Sequence, residues 1–422
     1  ILNISMSPNY ILLAVPFFFL LMGIEWYLGY RKNKQLYRLN DSINNLVIGI
    51  GSQVFNVAFK VLLLGMYVLL YDYIAIFKIP ATWWSFLLAL VLFDFLFYWA
   101  HRWGHEMNIF WGAHSVHHQS EEYNLSVALR QSWFHNLIAF PIFLPIPFLG
   151  FDPVTFGAAA AVQTLYQFWI HTRVVDKMHP WIEYWLNTPS HHRVHHAINP
   201  KFLDKNHAGM FMIWDRMFGT FNAEDDTEIY YGITTQLKSW NPAWANLHYY
   251  VEMMQNTKRM VWTDKLKLIF AKPGWLPDYL GGQQVPQEVN KAQYSKYNSD
   301  TTNLMKLYAA LQFVVLLWGT VQYLAHYSVV STFYKVFFFA LILLTMLITG
   351  AIFENKRWII YAEYVRLPLV LVALNSFYYY WYTQSLILMA IVSLVIFIGC
   401  VVFFSVSLLR SANAFKQSHT SE

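Results

Sequence analysis

One cysteine, Cys400, in 422 residues excludes a disulfide framework and a thiolate-based metal site. Charge is scarce too. Asp, Glu, Lys and Arg make up 13% of the chain, against roughly 25% in an ordinary soluble domain. The net charge of +5 is small, and the lysines and arginines lie mostly at the ends of apolar runs. That placement argues against a nucleic-acid partner. No internal repeat stands out. What fills the chain is apolar: 57% hydrophobic and 19% aromatic residues, with a mean hydropathy of +0.33. Several runs reach the ~20 residues that cross a bilayer. The composition therefore predicts an all-α fold, a multi-pass integral membrane helical bundle.

The runs also suggest how the chain is laid out. Tyr10 to Tyr30 is the first expected span. It is long and lacks a small-residue cleavage site, so it is expected to stay as a helix. Arg31, Lys32, Lys34 and Arg38 follow it and belong in the cytoplasm. Leu46 to Leu70 is the second span, with Lys60 either snorkelling or facing the interior. Trp83 to Trp99 is the third and travels back to the cytoplasmic face. Phe134 to Ile170, broken by Pro141, Pro145 and Pro147, reads as a tight or re-entrant helical hairpin. From Thr172 to about Thr302 the chain turns polar. Trp240 to Met254 and Trp262 to Ile269 are amphipathic there and predict an interfacial helical cap. Four more spans are expected: Leu304 to Ala325, Val329 to Phe353, Leu367 to Tyr382 and Leu386 to Leu409. The expected division is a membrane domain with its cap over residues 8–302 and a C-terminal helical block over 303–410.

Against this background the histidines stand out. There are 16, and many fall in motifs: H-x-x-x-H (His101, His105), H-x-x-H-H (His114, His117, His118) and a second H-x-x-H-H (His192, His195, His196). Residues four apart share a helical face, so His101 and His105 can hold one metal. In H-x-x-H-H the adjacent histidine points about 100° away and can reach a second. Eight imidazoles are too many for one metal and natural for two. His171, at the end of an apolar run, is a candidate ninth ligand. Asp94 shares a face with Tyr98 and His101 and is expected to orient a ligand or to bond Tyr98. His191 is expected to be a neighbour of the site. His135, His179 and His207 are candidates for supporting roles. Imidazole suits Fe, Zn, Cu and Ni alike. Eight histidines without a thiolate suit a redox-active pair better than structural zinc. By the positive-inside reading, every motif reaches the cytosolic face, in a bacterial inner membrane or the endoplasmic reticulum.

Y-W-A-H-R-W-G-H-E (Tyr98 to Glu106), H-S-V-H-H and N-T-P-S-H-H-R-V-H-H (Asn187 to His196) resemble the fatty acid hydroxylase/sterol desaturase superfamily of membrane di-iron enzymes. Q-F-W-I-H-T (Gln167 to Thr172) and D-K-N-H-A-G…W-D-R-M-F-G-T-F (Asp204 to Phe221) are most similar to its alkylglycerol monooxygenase branch. The resemblance runs strongly from about Leu92 to Pro273. It implies two iron ions held by the eight motif histidines, and it singles out Glu106, directly after H-x-x-x-H. It implies hydroxylation of the ether-bearing carbon of a glyceryl ether lipid by O2, with tetrahydrobiopterin as reductant. A fatty aldehyde and a glycerol compound would result. The pterin pocket is not legible in the sequence. Two other readings stay open: a sterol or fatty-acyl hydroxylase or desaturase fed by an electron-transfer protein, and a membrane metal transporter. Against transport, the histidines cluster at a helix end rather than at the bilayer midplane.

Overall fold

The computed structural model describes residues 10–299, 301–381 and 386–419. The chain divides into two compact units. One comprises Ile1–Leu237 and Trp244–Tyr297, the other Lys238–Ala243 and Asn298–Glu422.

The first unit opens with α1 (Tyr10–Arg31), α2 (Leu39–Tyr73), α3 (Trp83–Glu106) and α4 (Asn108–His118). Short helices α5 (Leu125–Ala128), α6 (His135–Ala139) and α7 (Pro145–Leu149) lead to α8 (Pro153–Trp169). Then come α9 (Pro180–Trp185), α10 (Pro189–His195), α11 (Ile213–Phe218), α12 (Pro242–Thr257) and α13 (Trp262–Phe270). The second unit is built from α14 (Asn303–His326), α15 (Thr332–Phe353), α16 (Ile359–Trp381) and α17 (Leu386–His419). Among the described residues six helices are long and apolar enough to cross a membrane: α2, α3, α14, α15, and α16 and α17 over Ile359–Phe377 and Ala390–Ser407. This is a multi-pass membrane protein. The first expected span coincides with α1. The side chains at its start lie outside the described residues, and it is not among the six.

α2 begins earlier than its apolar run. Asn40, Asp41, Asn44 and Asn45 are buried in its first turns, because the chain beyond α4 offers them partners. Ser120 Oγ donates to Asp41 (2.6 Å), and the buried Arg130 guanidinium donates to Asn44 (2.7 Å) and Asn45 (3.1 Å). Lys60 is exposed on this helix. Arg38, from the basic stretch after α1, pairs with Asp41, Glu121 and Glu122. The basic stretch and the end of the H-x-x-H-H helix therefore lie on one side of the unit.

Thr82 and Ser85 cap α3 reciprocally, and the helix then runs unbroken to Glu106, so H-x-x-x-H occupies its last turns. α3 packs on α2, α7 and α8 through Tyr67, Leu90, Phe93, Leu96, Ile146 and Ala159. The expected hairpin over 134–170 forms unevenly. Its first leg is a broken apolar run over His135–Leu149, and only α8 is continuous. Pro141, Pro145 and Pro147 remove the N–H donors that a continuous first leg would need. Gly150 makes the turn at φ +101°, and a Cβ there would lie 1.9 Å from the Phe77 carbonyl oxygen.

The amphipathic segments of the cap are helical. α13 turns Trp262, Leu266 and Phe270 outward and buries Leu268. Asn108, at the start of α4, donates to the carbonyls of Leu268 and Lys272. The Tyr250 hydroxyl of α12 donates to Ile109 O, and its ring lies against Gly112.

In the second unit, α16 starts before the expected Leu367 and carries Glu363 and Arg366 into an apolar span. Both are fully buried and bonded to each other through Arg366 Nε to Glu363 Oε2 (2.7 Å). Paired in this way the two charges cancel, so a helix that looks interrupted in sequence remains compatible with a membrane setting. Glu354 at the end of α15 accepts from the Ser239 hydroxyl and the Trp240 N–H.

Candidate metal centre

Three helices deliver the motif histidines to one buried place. α3 supplies His101 and His105, and α4 supplies His114, His117 and His118. α10 and its C-cap supply His192, His195 and His196, and His171 follows α8. Their ring nitrogens sort into two groups, each within 4.8 Å of one another. The first is His101, His105, His114, His118 and His195; the second is His117, His171, His192 and His196. All are at most 7% exposed.

The sorting follows helix geometry. In α4, His114 and His118 are four apart and share the first group, while His117 turns into the second. In α10 the pattern reverses. His192 and His196 join the second group and His195 crosses to the first. Each H-x-x-H-H thus serves both groups.

Backbone carbonyls fix the rings. Nδ1 of His101 bonds His207 O (2.8 Å), that of His117 bonds Arg130 O (3.0 Å), that of His171 bonds Gln167 O (2.7 Å) and that of His195 bonds Lys205 O (2.9 Å). A carbonyl only accepts, so each of these Nδ1 atoms carries the proton and each Nε2 presents a bare lone pair. His105 Nδ1 lies 3.6 Å from the Asp204 carboxylate. Within the second group, His117 Nε2 and His171 Nε2 stand 3.1 Å apart, and His171 Nε2 and His192 Nε2 stand 3.0 Å apart. In the first group, His114 and His118 are 3.1 Å apart. His117 and His171 both carry their protons on Nδ1, so their facing Nε2 lone pairs repel at that distance unless a cation sits between them. Two nitrogens each about 2.1 Å from one ion, at right angles, are about 3.0 Å apart. The two groups are therefore able to bind metal, and the buried nitrogen atoms fit that use.

Burial, reinforced by neighbouring imidazoles, holds His114, His118, His171, His192, His195 and His196 well below the usual histidine range. Burial brings His117 down to about 3, against its bond to the Arg130 carbonyl. All these rings are neutral at pH 7, the form that ligates metal.

The other expected residues fall around this centre. Asp94 reaches no histidine. Seven residues before His101 it lies about 10 Å along the helix axis, too far for a direct bond. It does not bond Tyr98 either. Its carboxylate accepts the N–H groups of Met210 (2.6 Å) and Phe211 (3.1 Å) and the indole N–H of Trp214 (2.8 Å). Glu106 pairs with Arg102 (3.1 Å) at the rim. Arg102 donates to the Tyr98 hydroxyl, Tyr98 meets Thr220 Oγ1 (2.9 Å), and Thr220 donates to Asp215 (2.6 Å). His191 stays outside both groups, 3.9 Å from Glu183. His179 caps α9. The His135 ring lies 6.2 Å from that of His114. His207 is fully buried with its ring centre 5.1 Å from that of His105, yet it belongs to neither group.

Sequence reasoning marked D-K-N-H-A-G by resemblance and named His207, but missed what the loop over residues 204–211 does. Its carbonyls at Lys205 and His207 hold His195 and His101. Asp204 and Asn206 adopt positive φ. Asp215 accepts the His207 and Ala208 N–H groups (2.8 and 2.7 Å), and Asp94 accepts those of Met210 and Phe211. Two buried carboxylates therefore clamp the loop. The motif W-D-R held the only sequence signal for Asp215. Arg130, whose carbonyl fixes His117, gave none.

Comparison with known proteins agrees with this geometry. The family model "Fatty acid hydroxylase" matches residues 86–220, which contain every grouped histidine. The chain is 33% identical over 378 residues to an alkylglycerol monooxygenase of Xenopus tropicalis, covering 87% of this chain and 83% of that protein. It is 35% identical over 327 residues to the alkylglycerol monooxygenase of Homo sapiens, covering 74% and 70%. A Delta(7)-sterol 5(6)-desaturase of Gibberella zeae is 24% identical over 197 residues, covering 45% and 53%. No solved structure matches.

Proposed function

The chain belongs to the fatty acid hydroxylase family, and from that premise we propose that it is a membrane di-iron monooxygenase acting on alkylglycerol ether lipids. The observation that carries the reading is the pair of buried histidine groups, whose ring nitrogens approach to 3.0–3.1 Å. His101, His105, His114, His118 and His195 would hold one iron, and His117, His171, His192 and His196 the other. Bound iron supplies the dioxygen activation that no side chain here can provide.

The reaction inserts one oxygen atom of O2 into a C–H bond of the ether-bearing carbon. The other atom leaves as water, with two electrons and two protons from tetrahydrobiopterin. The resulting hemiacetal collapses to a fatty aldehyde and a free glycerol hydroxyl. The chain's own part is to hold and to exclude. Neutral imidazoles stay unprotonated, carbonyls keep the rings aimed, and Tyr123, buried between His171 and Tyr231, keeps water from the second group. Asp94, Asp215 and the Glu106–Arg102–Tyr98–Thr220 chain act as positioning residues through the 204–211 loop. Arg38 of the basic stretch, bonded beside α4, supports a cytosolic side for the centre by the positive-inside rule.

The test is anaerobic purification with metal analysis, followed by turnover of an alkylglycerol with and without tetrahydrobiopterin. Two irons per chain and pterin-dependent aldehyde release are the expected result. Iron without aldehyde release would refute the substrate assignment. It would favour the second reading, a sterol or fatty-acyl enzyme fed by a protein donor, for which the partial similarity to a sterol desaturase speaks.

A further inference from the structure

α1 carries one charged side chain ahead of its terminal Arg31, and that side chain is buried: Glu25 is 2% exposed. An ionisable group within an expected span is costly and calls for a specific use. Glu25 continues the face that Ala14, Phe18 and Met22 bury, at spacings of three and four residues. That face packs against Leu125 and Phe168, with the rings of Phe18 and Phe168 4.3 Å apart. α1 therefore leans on two segments: the end of α8, which leads to His171, and α5, just beyond α4.

Glu25 fastens both. Its Oε2 accepts the Leu125 N–H (2.9 Å) and the Tyr37 hydroxyl, and its Oε1 accepts the Thr172 hydroxyl. Thr172 directly follows His171. The histidine is thereby held on both sides, by Phe18 against Phe168 and by Glu25 on Thr172. The tie continues into α10. The Thr172 carbonyl accepts Arg193 Nη1 (3.1 Å), and Arg193 directly follows His192. Nε and Nη2 of Arg193 are anchored in turn on Glu224 (2.7 and 2.6 Å). His171 and His192 both belong to the second group, with their Nε2 atoms 3.0 Å apart. Other bonds between the stretch after α1 and this segment are exposed and long: Lys32 reaches Val174 O at 3.4 Å, and Arg173 Nη2 reaches Gln35 O at 3.3 Å. Bonds of that kind contribute little beside a buried carboxylate that satisfies three donors.

We propose that Glu25 is a positioning residue for the second iron, acting through Thr172 to hold His171 against His192. His171 serves only the second group, so the first iron is an internal control. The inference rests on the two groups holding iron and is independent of the lipid substrate.

The test loads the full chain in detergent with ferrous iron under anaerobic conditions and reads the two affinities by chelator competition. Glu25→Leu removes the acceptor and keeps the bulk; Thr172→Val removes the hydroxyl and keeps the shape. Each should loosen one iron by about 10- to 100-fold and leave the other unchanged. His171→Ala identifies that iron as the second. Glu25→Gln should stay within about threefold of wild type, because an amide oxygen in place of Oε2 still accepts from Leu125 and Tyr37 while the NH2 donates to the Thr172 hydroxyl. Glu25→Leu added to His171→Ala should bring less than about threefold further loss, since the acid acts through that histidine. Where Glu25→Leu fails to insert, Thr172→Val carries the test. Unchanged affinities in the Leu and Val variants would overturn the proposal. So would equal weakening of both irons, or full additive loss on the His171→Ala background. A wild-type chain holding fewer than two irons would remove the metal reading itself and this proposal with it, a failure visible before any variant is made.

Discussion

Replacing Asp94 by asparagine tests whether the 204–211 loop, rather than a direct bond, links this acid to the metal centre. The carboxylate accepts three N–H groups, from Met210, Phe211 and Trp214. In Asp94→Asn one oxygen becomes a donor. The better amide orientation keeps its oxygen on Phe211 and Trp214 and turns the NH2 toward the Met210 N–H. One charge-assisted bond is lost and a buried donor faces another, a cost of about 2–3 kcal/mol. The loop that loosens carries the carbonyls holding His101 and His195, both in the first group. The second group's His117 and His171 are held by Arg130 and Gln167, which lie outside that loop. Loss of such outer support typically lowers metal affinity 10- to 100-fold. Chelator competition on the iron-loaded protein should therefore show one iron weakened by about that factor and the other unchanged. Two irons of wild-type affinity, or two weakened equally, would refute the loop as the coupling element.

Four further outcomes follow. His117→Ala or His195→Ala should abolish turnover and lower bound iron while the protein still inserts, whereas His326→Ala should do neither; metal analysis beside an activity assay decides. Metal-free protein should lose stability as pH falls below about 6.5, because unfolded histidines take up protons that the buried ones refuse. His117, held at about 3, and His135, at about 4, each contribute a loss of about 1 kcal/mol between pH 7 and 5.5, readable as a falling unfolding midpoint, and a flat profile would contradict their burial as neutral rings. Gly150→Ala forces a Cβ onto the Phe77 carbonyl at positive φ. It should cost more than about 2 kcal/mol, seen as a lowered midpoint or lost expression. Glu106→Gln removes a rim ion pair worth only about 0.3–0.5 kcal/mol; iron should stay bound and turnover should fall by less than tenfold, and loss of iron would promote Glu106 to a ligand.

The membrane helices and the histidine motifs were legible because both are written in periodicities. Apolar runs of spanning length mark the helices, and spacings of three and four mark shared faces. Even the split of H-x-x-H-H between two groups follows from the 100° step. The loop over 204–211 was illegible for a physical reason. Its service to His101 and His195 is rendered by backbone carbonyls, which have no letter in the sequence. Asp94 was read onto the right helix face, but distance along the axis decided its partners. The start of α16 was hidden by Glu363 and Arg366, which read as a polar boundary one at a time and as a neutral pair once a single helical turn brings them together. The hairpin over 134–170 had its prolines in view, but how unevenly they would divide it depended on packing against α2 and α3.

The crossing of histidines in α10 also sets a schedule for the protein's birth. Synthesis proceeds from the N-terminus, and the second group has only His117 and His171 until residues 192–196 have been made. The first group lacks its last member until the same moment. One seven-residue helix, started by Pro189, thus acts as the clasp of both sites. A nascent chain halted before it would own most of the grouped histidines and neither complete group, so neither group can close around a cation before α10 has been made.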